Sequence, residues 1–401
     1  MNFWTLEEIM LDLGGTYRAV SPQETLAKIE PMLWDKFGIT RVANITGLDN
    51  LDIPTYIAIR PLSKFFSTAQ GKGMTHELAK ISAMMESIEG WHAERIEEPH
   101  LFGSSLQFEK KYPLVDLALV ANQVLKVPSE QLYRSEIPWM RGLELNSGRE
   151  IFFPADLIHL DLISAHNLKT RPCLFAPTSN GLASGNTFEE AVCHAVCEVI
   201  ERHCHYKSDF KPYRHIDLAT ITSYHLRQLL EHLTAKSLRL QLIDMTDEIN
   251  VPVFLATLTD LSGVHALGVF FGSGAHISSE VALSRAITEA IQSRLTIIGG
   301  SREDIYPSVY RDLSRDSKYI QQTPGRKALY PFIETSVPAD FSQCLDLLLM
   351  RLKQVGFEQV IVFDHTIKEL GIPVVNVLIP GLQLNRQHHI HYAYSPDEFL
   401  A

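Results

Sequence analysis

The 401-residue chain is long enough for one large α/β domain or two smaller ones, and its 45% hydrophobic and 21% charged residues are those of an ordinary globular protein. A formal charge of -11 with no Lys/Arg-rich run argues against nucleic acid as a partner. The N-terminus lacks the basic start and apolar core of a signal peptide, and no apolar run approaches the roughly 20 residues that span a bilayer, so a cytoplasmic protein without a membrane segment is expected.

Apolar spacing predicts a first helix over residues 21–37, begun by the start signal SPQE. ITRVANITGLD and PTYIAIRP alternate as strands do. FFSTAQGKGMT reads as a glycine-containing loop, followed by a helix from about His76 to Arg95. Residues 100–178 read as short strands and loops. A second loop, SNGLASGNT, leads into the helical FEEAVCHAVCEVIERHCHY. Helix and strands alternate through LRQLLEHL, LRLQLIDM, VPVFLATL and HALGVFFGSGA, and then a third helix follows, SSEVALSRAITEAIQSRLTIIGG. The chain closes with the helix FSQCLDLLLMRLKQVG and the strands QVIVFDHT and PVVNVLIP. No linker or low-complexity stretch intervenes. The expectation is a mixed α/β (α+β) fold: a single large domain over residues 61–401, with residues 1–60 as a helix/strand segment packed on it.

The three loop-then-helix units place carboxylates in a common way. At about 100° per residue, Ser82, Glu86 and Glu89 fall within about 60° of one another, and Glu190, Glu198 and Glu201 within about 80°. Glu pairs one turn apart repel unless something cancels their charge. Two readings stand side by side. They are solvated helix faces, or they hold Mg²⁺, which takes one or two carboxylates plus substrate phosphates. The apolar neighbours Met84, Met85, Ile88, Val196, Val199 and Ile200 favour the second. Thr187 and Glu190 have capping-box spacing, so a helix cap competes with a ligand role for Glu190.

Cys193, Cys197 and Cys204, interleaved with His194, His203 and His205, suggest zinc at first sight. Structural zinc sites pair their ligands as C-x₂₋₄-C with a second pair elsewhere, and no second CxxC or HxxxH is present. Packing is the simpler role for the thiols, and a favourable place at the helix C-terminus for His203 and His205. QGKGMT precedes a helix, as anion sites do, but no Walker A or GxGxxG sequence occurs.

In this order and spacing the three units resemble the YcaO family of ATP-dependent enzymes that modify peptide backbones. The likeness covers most of the chain, from YRAVSPQETL to NVLIPGLQ. It rests on Ser82-x₃-Glu86-x₂-Glu89, SNGLASGNT, Glu198-x₂-Glu201-Arg202 and Glu289-x₂-Gln292-x-Arg294. TYRAVSPQETL, ITRVANITGLDNLDIPTY, QGKGM and GGSRED look like the subgroup that works with TfuA proteins.

The resemblance implies one domain with carboxylate-bearing helices around a Mg·ATP cavity. Arg18, Ser82, Asn186 and Arg202 would contact ATP, completed by Gln292 and Arg294. Glu86, Glu89, Glu190, Glu198 and Glu201 would hold Mg²⁺ or the groups around it, with Lys72 and Glu289 as further candidates. It also implies the chemistry: a nucleophile attacks an amide carbon, ATP phosphorylates the oxygen, and phosphate leaves. Sulfide as nucleophile gives a thioamide; a neighbouring Cys, Ser or Thr side chain gives an azoline. Two departures bear on this. Gly90 stands where many relatives carry Arg, and the tail YSPDEFLA lacks the proline-rich end common in azoline-forming members. The expectation is therefore a thioamide-forming enzyme with a TfuA-type partner, acting on a peptide or protein delivered by a separate recognition protein. The alternatives are a cyclodehydratase and a non-catalytic accessory factor for ribosomal-protein methylthiolation. A homodimer is expected from the family alone.

Overall fold

The computed structural model describes residues 10–96, 98–123, 129–161, 163, 174–175, 177–208, 214–260, 268–303, 305, 307, 310 and 328–383. Cys173 and the tail YSPDEFLA lie outside them. Helices of eight or more residues and the strands are labelled in chain order. They run β1 (Leu11–Asp12), β2 (Tyr17–Arg18), α1 (Pro22–Ile29), β3 (Arg41–Asn44), β4 (Thr55–Ile59), β5 (Thr68–Lys72), α2 (His76–Ala93), β6 (Leu101–Gly103), β7 (Ile137–Glu144) and β8 (Arg149–Pro154). There follow β9 (Leu182–Ser184), α3 (Phe188–Ser208), β10 (Arg214–Asp217), α4 (Tyr224–Ala235), β11 (Leu238–Asp244), β12 (Val253–Asp260) and β13 (Val269–Ala275). The last elements are α5 (Ser279–Gly299), β14 (Leu329–Pro331), α6 (Phe341–Gln354), β15 (Ile361–Asp364) and β16 (Val374–Leu378).

Local chemistry starts the helices where the sequence says it should. Ser21 and Glu24 form a reciprocal capping box at α1, and α1 gives way after Ile29 to a short 3₁₀ turn instead of running on to Phe37. Thr75 and Ser278 cap α2 and α5 through their hydroxyls.

Besides the β1–β2 hairpin, the strands form three sheets ordered β3-β4-β5, β6-β7-β15-β16-β9 with β8 also on β7, and β13-β12-β11-β10-β14. Pairing is antiparallel except between β10 and β14. The division expected after residue 60 runs through the first sheet, because β4 pairs with β5 from Thr55↔Lys72 to Ile59↔Thr68.

Two segments read as loops are strands. QGK of QGKGMT belongs to β5, and LAS within SNGLASGNT is β9. Glycine in β5, as in β13, serves close packing instead of a turn. A Cβ at Gly71 would lie 2.0 Å from the Ala83 nitrogen of α2, and one at Gly272 of β13 would lie 2.1 Å from the Ala290 nitrogen of α5. Each strand is thus pressed onto the backbone of the helix that follows it. LVDLALV, read among strands, runs from its fourth residue into a 3₁₀ helix over Leu117–Gln123.

The core is built between these layers. Val192, Val196 and Ile200 of α3 pack with Leu348 and Leu352 of α6 and Val375 and Val377 of β16. Ala286, Ile287 and Ile291 of α5 pack over Phe254, Leu258 and Phe270. Met84 and Ile88 of α2 pack with Ile29 and Phe37. Among the described residues no helix is long and apolar enough to cross a membrane.

Candidate active site

β5, β9 and β13 each stand at one end of their sheet, and each leads into a long helix, α2, α3 and α5. The helices share a start signal: the hydroxyls of Thr75, Thr187 and Ser278 accept from the backbone nitrogens of Leu78, Glu190 and Val281. Counted from these caps, the three helices carry the same pattern. Seven residues on stand Ser82, His194 and Arg285; eleven on, Glu86, Glu198 and Glu289; fourteen on, Glu89, Glu201 and Gln292. Offsets of 7, 11 and 14 residues differ by at most about 60° around a helix, so each trio forms one stripe.

The stripes converge through contacts that pass cyclically from unit to unit. Ser184 of β9 donates to Glu89 of α2, from its backbone nitrogen at 2.8 Å and its hydroxyl at 2.6 Å. Ser273 of β13 donates to Glu201 of α3 at 2.5 Å. Lys72 of β5 reaches Glu289 of α5 at 2.6 Å. Gln292 donates to the Gln70 carbonyl of β5 at 2.9 Å. Each strand therefore orients a polar side chain from a helix of another unit.

Electrostatics mark the cavity. Burial pushes the Glu89 carboxyl up to about 8, against the donors of Ser184 and with the help of Glu86 and Glu198. Burial pushes Glu198 to about 7, partly offset by Arg202. Burial also raises Glu86, which Arg302 and Lys72 pull back, and Glu201, which Glu289 pushes further. Glu289 is the exception: burial pushes it up, but the Lys72 ammonium outweighs that and holds it below the usual range. Arg202 is half-exposed and stands 3.7 Å from Glu198. Four carboxylates thus face one another with fewer cations than charges.

A second corner adjoins this ring. Glu190, buried, accepts from the backbone nitrogens of Ala19 (3.1 Å) and Asn186 (3.2 Å) and lies 3.6 Å from Arg18. The Asn186 amide also donates to Glu190, and its carbonyl accepts from Thr25. Thr187 does cap α3, yet the Glu190 carboxylate is turned to Arg18 and the loop, not back to the cap. Around this corner stand His194, His276 and Arg285. Burial and the neighbouring Arg285 and Arg18 push both histidines well below their usual range, keeping them neutral. Burial and Arg18 lower Arg285 to about 10.

The structure brings together Lys72, Glu86, Glu89, Glu198, Glu201, Arg202, Glu289 and Gln292, with Arg18, Asn186 and Glu190 alongside and Ser82 on the α2 stripe. Arg294 does not join them. It is buried against Asp49 (2.6 Å) and Asp260 (3.3 Å), because five residues beyond Glu289 is about 140° around the helix. The arginine that α5 presents is Arg285, four residues before Glu289, which the sequence reading missed. The i,i+4 spacing to Glu289 was the available signal. At Gly90 a side chain would meet the Arg60 guanidinium at 3.3 Å. Arg60 is held by Glu94 at 2.6 and 2.7 Å, so it fills that space without replacing a ligand-facing arginine.

The thiols Cys193, Cys197, Cys204 and Cys344 are free and buried in the core around α3 and α6, and Cys193 donates to the Phe341 carbonyl. His203, read as a charged helix-end residue, is buried and pushed toward its neutral form; its Nδ1 accepts from the Gln383 nitrogen.

The donors of the ring itself, Glu86, Glu89, Glu198 and Glu201, are all oxygen, with the neutral His194 and His276 at the adjoining corner. That suits Mg²⁺ shared between carboxylates, water and phosphate better than a thiol- or imidazole-bound metal. Among the described residues no three ligating groups have already closed on a point. The carboxylates are spaced around the cavity, as they would be if an ion brought further ligands with it.

Residues 70–383 match the protein family described as YcaO cyclodehydratase, ATP- and Mg²⁺-binding. The chain is 35% identical over 387 residues to an uncharacterised protein in the tfuA 3' region of Rhizobium leguminosarum bv. trifolii, covering 92% of this chain and 89% of that protein. It is 31% identical to an uncharacterised protein of Methanothermobacter thermautotrophicus, covering 92% and 95%. Among solved structures, YcaO from Methanopyrus kandleri bound with AMPPCP and Mg²⁺ superposes with a TM-score of 0.72 at 22% identity, over 95% of this chain and 99% of that one. A heterocyclase in complex with substrate and cofactor also gives a TM-score of 0.72, at 20% identity, covering 94% of this chain and 55% of that one.

Proposed function

The chain belongs to the YcaO family, and from that premise we propose that it uses Mg·ATP to activate a peptide or protein backbone amide, with sulfide as the nucleophile and a thioamide as product. The observation that carries this reading is the ring of carboxylates where the helices converge, Glu86, Glu89, Glu198 and Glu201, each raised above its ordinary range with the others close enough to act on it. Such a ring is poised to exchange protons for divalent ions.

In this reading Glu86, Glu89, Glu198 and Glu201 hold Mg²⁺, and Glu190 orders the loop and Arg18 beside it. Arg18, Ser82, Asn186, Arg202 and Gln292 contact ATP, joined by Arg285. Bound Mg²⁺ supplies charge neutralisation for the phosphoryl group in transfer. Overall, amide, hydrogen sulfide and ATP give thioamide, ADP and phosphate, the amide oxygen leaving in the phosphate.

Sulfide is favoured over a side-chain nucleophile by the likeness to a protein in the tfuA 3' region and by TYRAVSPQETL, QGKGM and GGSRED. The same observations support a TfuA-type protein as partner. Azoline formation is the second reading, favoured by the family's description and by a heterocyclase of the same fold. The two separate cleanly. Incubation with ATP, Mg²⁺, sulfide, the TfuA-type protein and a candidate substrate gives a gain of about 16 Da for thioamide, whereas a loss of about 18 Da establishes the azoline.

A further inference from the structure

The cyclic contacts between the three β–α units differ in charge at one place. In the second and third units the strand residue that faces the ring is a serine, Ser184 or Ser273, and donates a neutral hydroxyl to a carboxylate. In the first unit the strand residue that makes this contact is Lys72, three residues before its cap as Ser184 is while Ser273 stands five before, and it brings a full positive charge. Gly71 on one side lies against the α2 backbone, so β5 cannot shift outward without opening a strand–helix contact. The Lys72 side chain lies about three-quarters buried with its ammonium 2.6 Å from Glu289. From there it acts electrostatically on carboxylates of all three helices, Glu86 of α2, Glu201 of α3 and Glu289 of α5.

We propose that Lys72 is a resident cation of the ring: its ammonium supplies at Glu289 the charge that a divalent ion supplies at the carboxylate pairs of α2 and α3. Three consequences follow from charge alone. Divalent ions are confined to the side of the cavity walled by Glu86, Glu89, Glu198 and Glu201. Glu289 acts as the anchor that fixes the ammonium, not as a free metal ligand. Lys72 is a positioning residue, setting how many ions enter and where. The third helix fits this division, since it offers Gln292, a neutral side chain, where the other two offer Glu89 and Glu201.

This inference rests on the reading of the cavity as a Mg·ATP site, and its test separates the two. The full chain is saturated with a non-hydrolysable ATP analogue, and Mn²⁺ bound per chain is measured by equilibrium dialysis as the free ion is varied. Lys72→Ser and the similarly long but uncharged Lys72→Met should each take up one more ion per chain than wild type, or half-saturate at a roughly tenfold lower concentration. Lys72→Arg should keep the wild-type count. If both neutral variants match wild type in count and half-saturation, the inference is overturned while the Mg·ATP reading stands. If wild type itself takes up no ion with nucleotide, the Mg·ATP reading fails and this inference with it. Should Lys72→Ser not fold, Lys72→Met, checked by its thermal transition, decides alone.

Discussion

Toward the end of helix α2 two kinds of carboxylate stand within six residues, Glu94 buried and Glu89 partly so. Glu94, at its end, accepts two bonds from Arg60 at 2.6 and 2.7 Å and further bonds from Ser63 and the Lys64 nitrogen. Burial alone would raise it, but these partners hold it below its ordinary range. Glu89, less than two turns earlier, has only the neutral donors of Ser184, and burial carries it to about 8. Both side chains left water at a cost that must be met by partners. At Glu94 the chain supplies the counter-charge itself; at Glu89 it leaves that to a proton or a ligand. The first arrangement builds structure, and the second marks a site.

The contrast can be broken at either end. Glu201→Ala should remove nucleotide-dependent metal uptake and lower turnover by about a thousandfold or more, with the thermal transition retained; unchanged metal uptake would place the ions elsewhere. Glu94→Gln should do the opposite. It leaves Arg60 buried and unpaired, so chemical denaturation should show a loss of about 3–5 kcal/mol, with metal affinity of the folded chain little changed. Arg285→Ala and Arg294→Ala sharpen the same comparison on α5. The first should cut turnover by about a hundredfold with little loss of stability, and the second should take the guanidinium away from the buried Asp49 carboxylate and lower the melting midpoint.

The smallest effect is in pH. Glu89 at about 8 and Glu198 at about 7 stand above an ordinary carboxyl value of 4.5. Without ligand the folded chain therefore binds more protons than the unfolded chain between those limits. The stability that these two groups contribute is fully present below about pH 4.5 and is lost as pH rises toward 8. The melting midpoint should drop between about pH 5.5 and 8, by a few degrees, and Mg·ATP should narrow that drop. A midpoint that rises across this range would contradict the assigned charge state.

The long elements were legible because local signals and burial agree in them. Ser21-x-x-Glu24 announced α1, and the apolar spacing of α3 and α6 matches their packing. The stripes Ser82-Glu86-Glu89 and Glu190-Glu198-Glu201 were legible too, since helical geometry fixes which residues share a face. What stayed hidden depends on contacts distant in sequence. β5 and β9 are short, β5 holding Gly71 and β9 lying between Gly181 and Gly185, and only the backbone packed against these glycines explains why glycine is there. Arg294 fits the spacing Glu289-x₂-Gln292-x-Arg294, but its partners Asp49 and Asp260 are 245 and 34 residues away and no local pattern shows them. The pattern counted from Thr75, Thr187 and Ser278 needed the caps to be located first.

The cyclic hand-over of contacts also bears on how the molecule comes apart. Lys72 and Glu289 are 217 residues apart, Ser184 and Glu89 are 95, and Ser273 and Glu201 are 72. No unit can complete its own share of the ring, so the site forms only when all three have docked. Opening any one of them opens it for all. An ion lodged there acts as a rivet through three separate stretches of chain. In hydrogen exchange, amides of α2, α3 and α5 should therefore gain protection together when ligand binds.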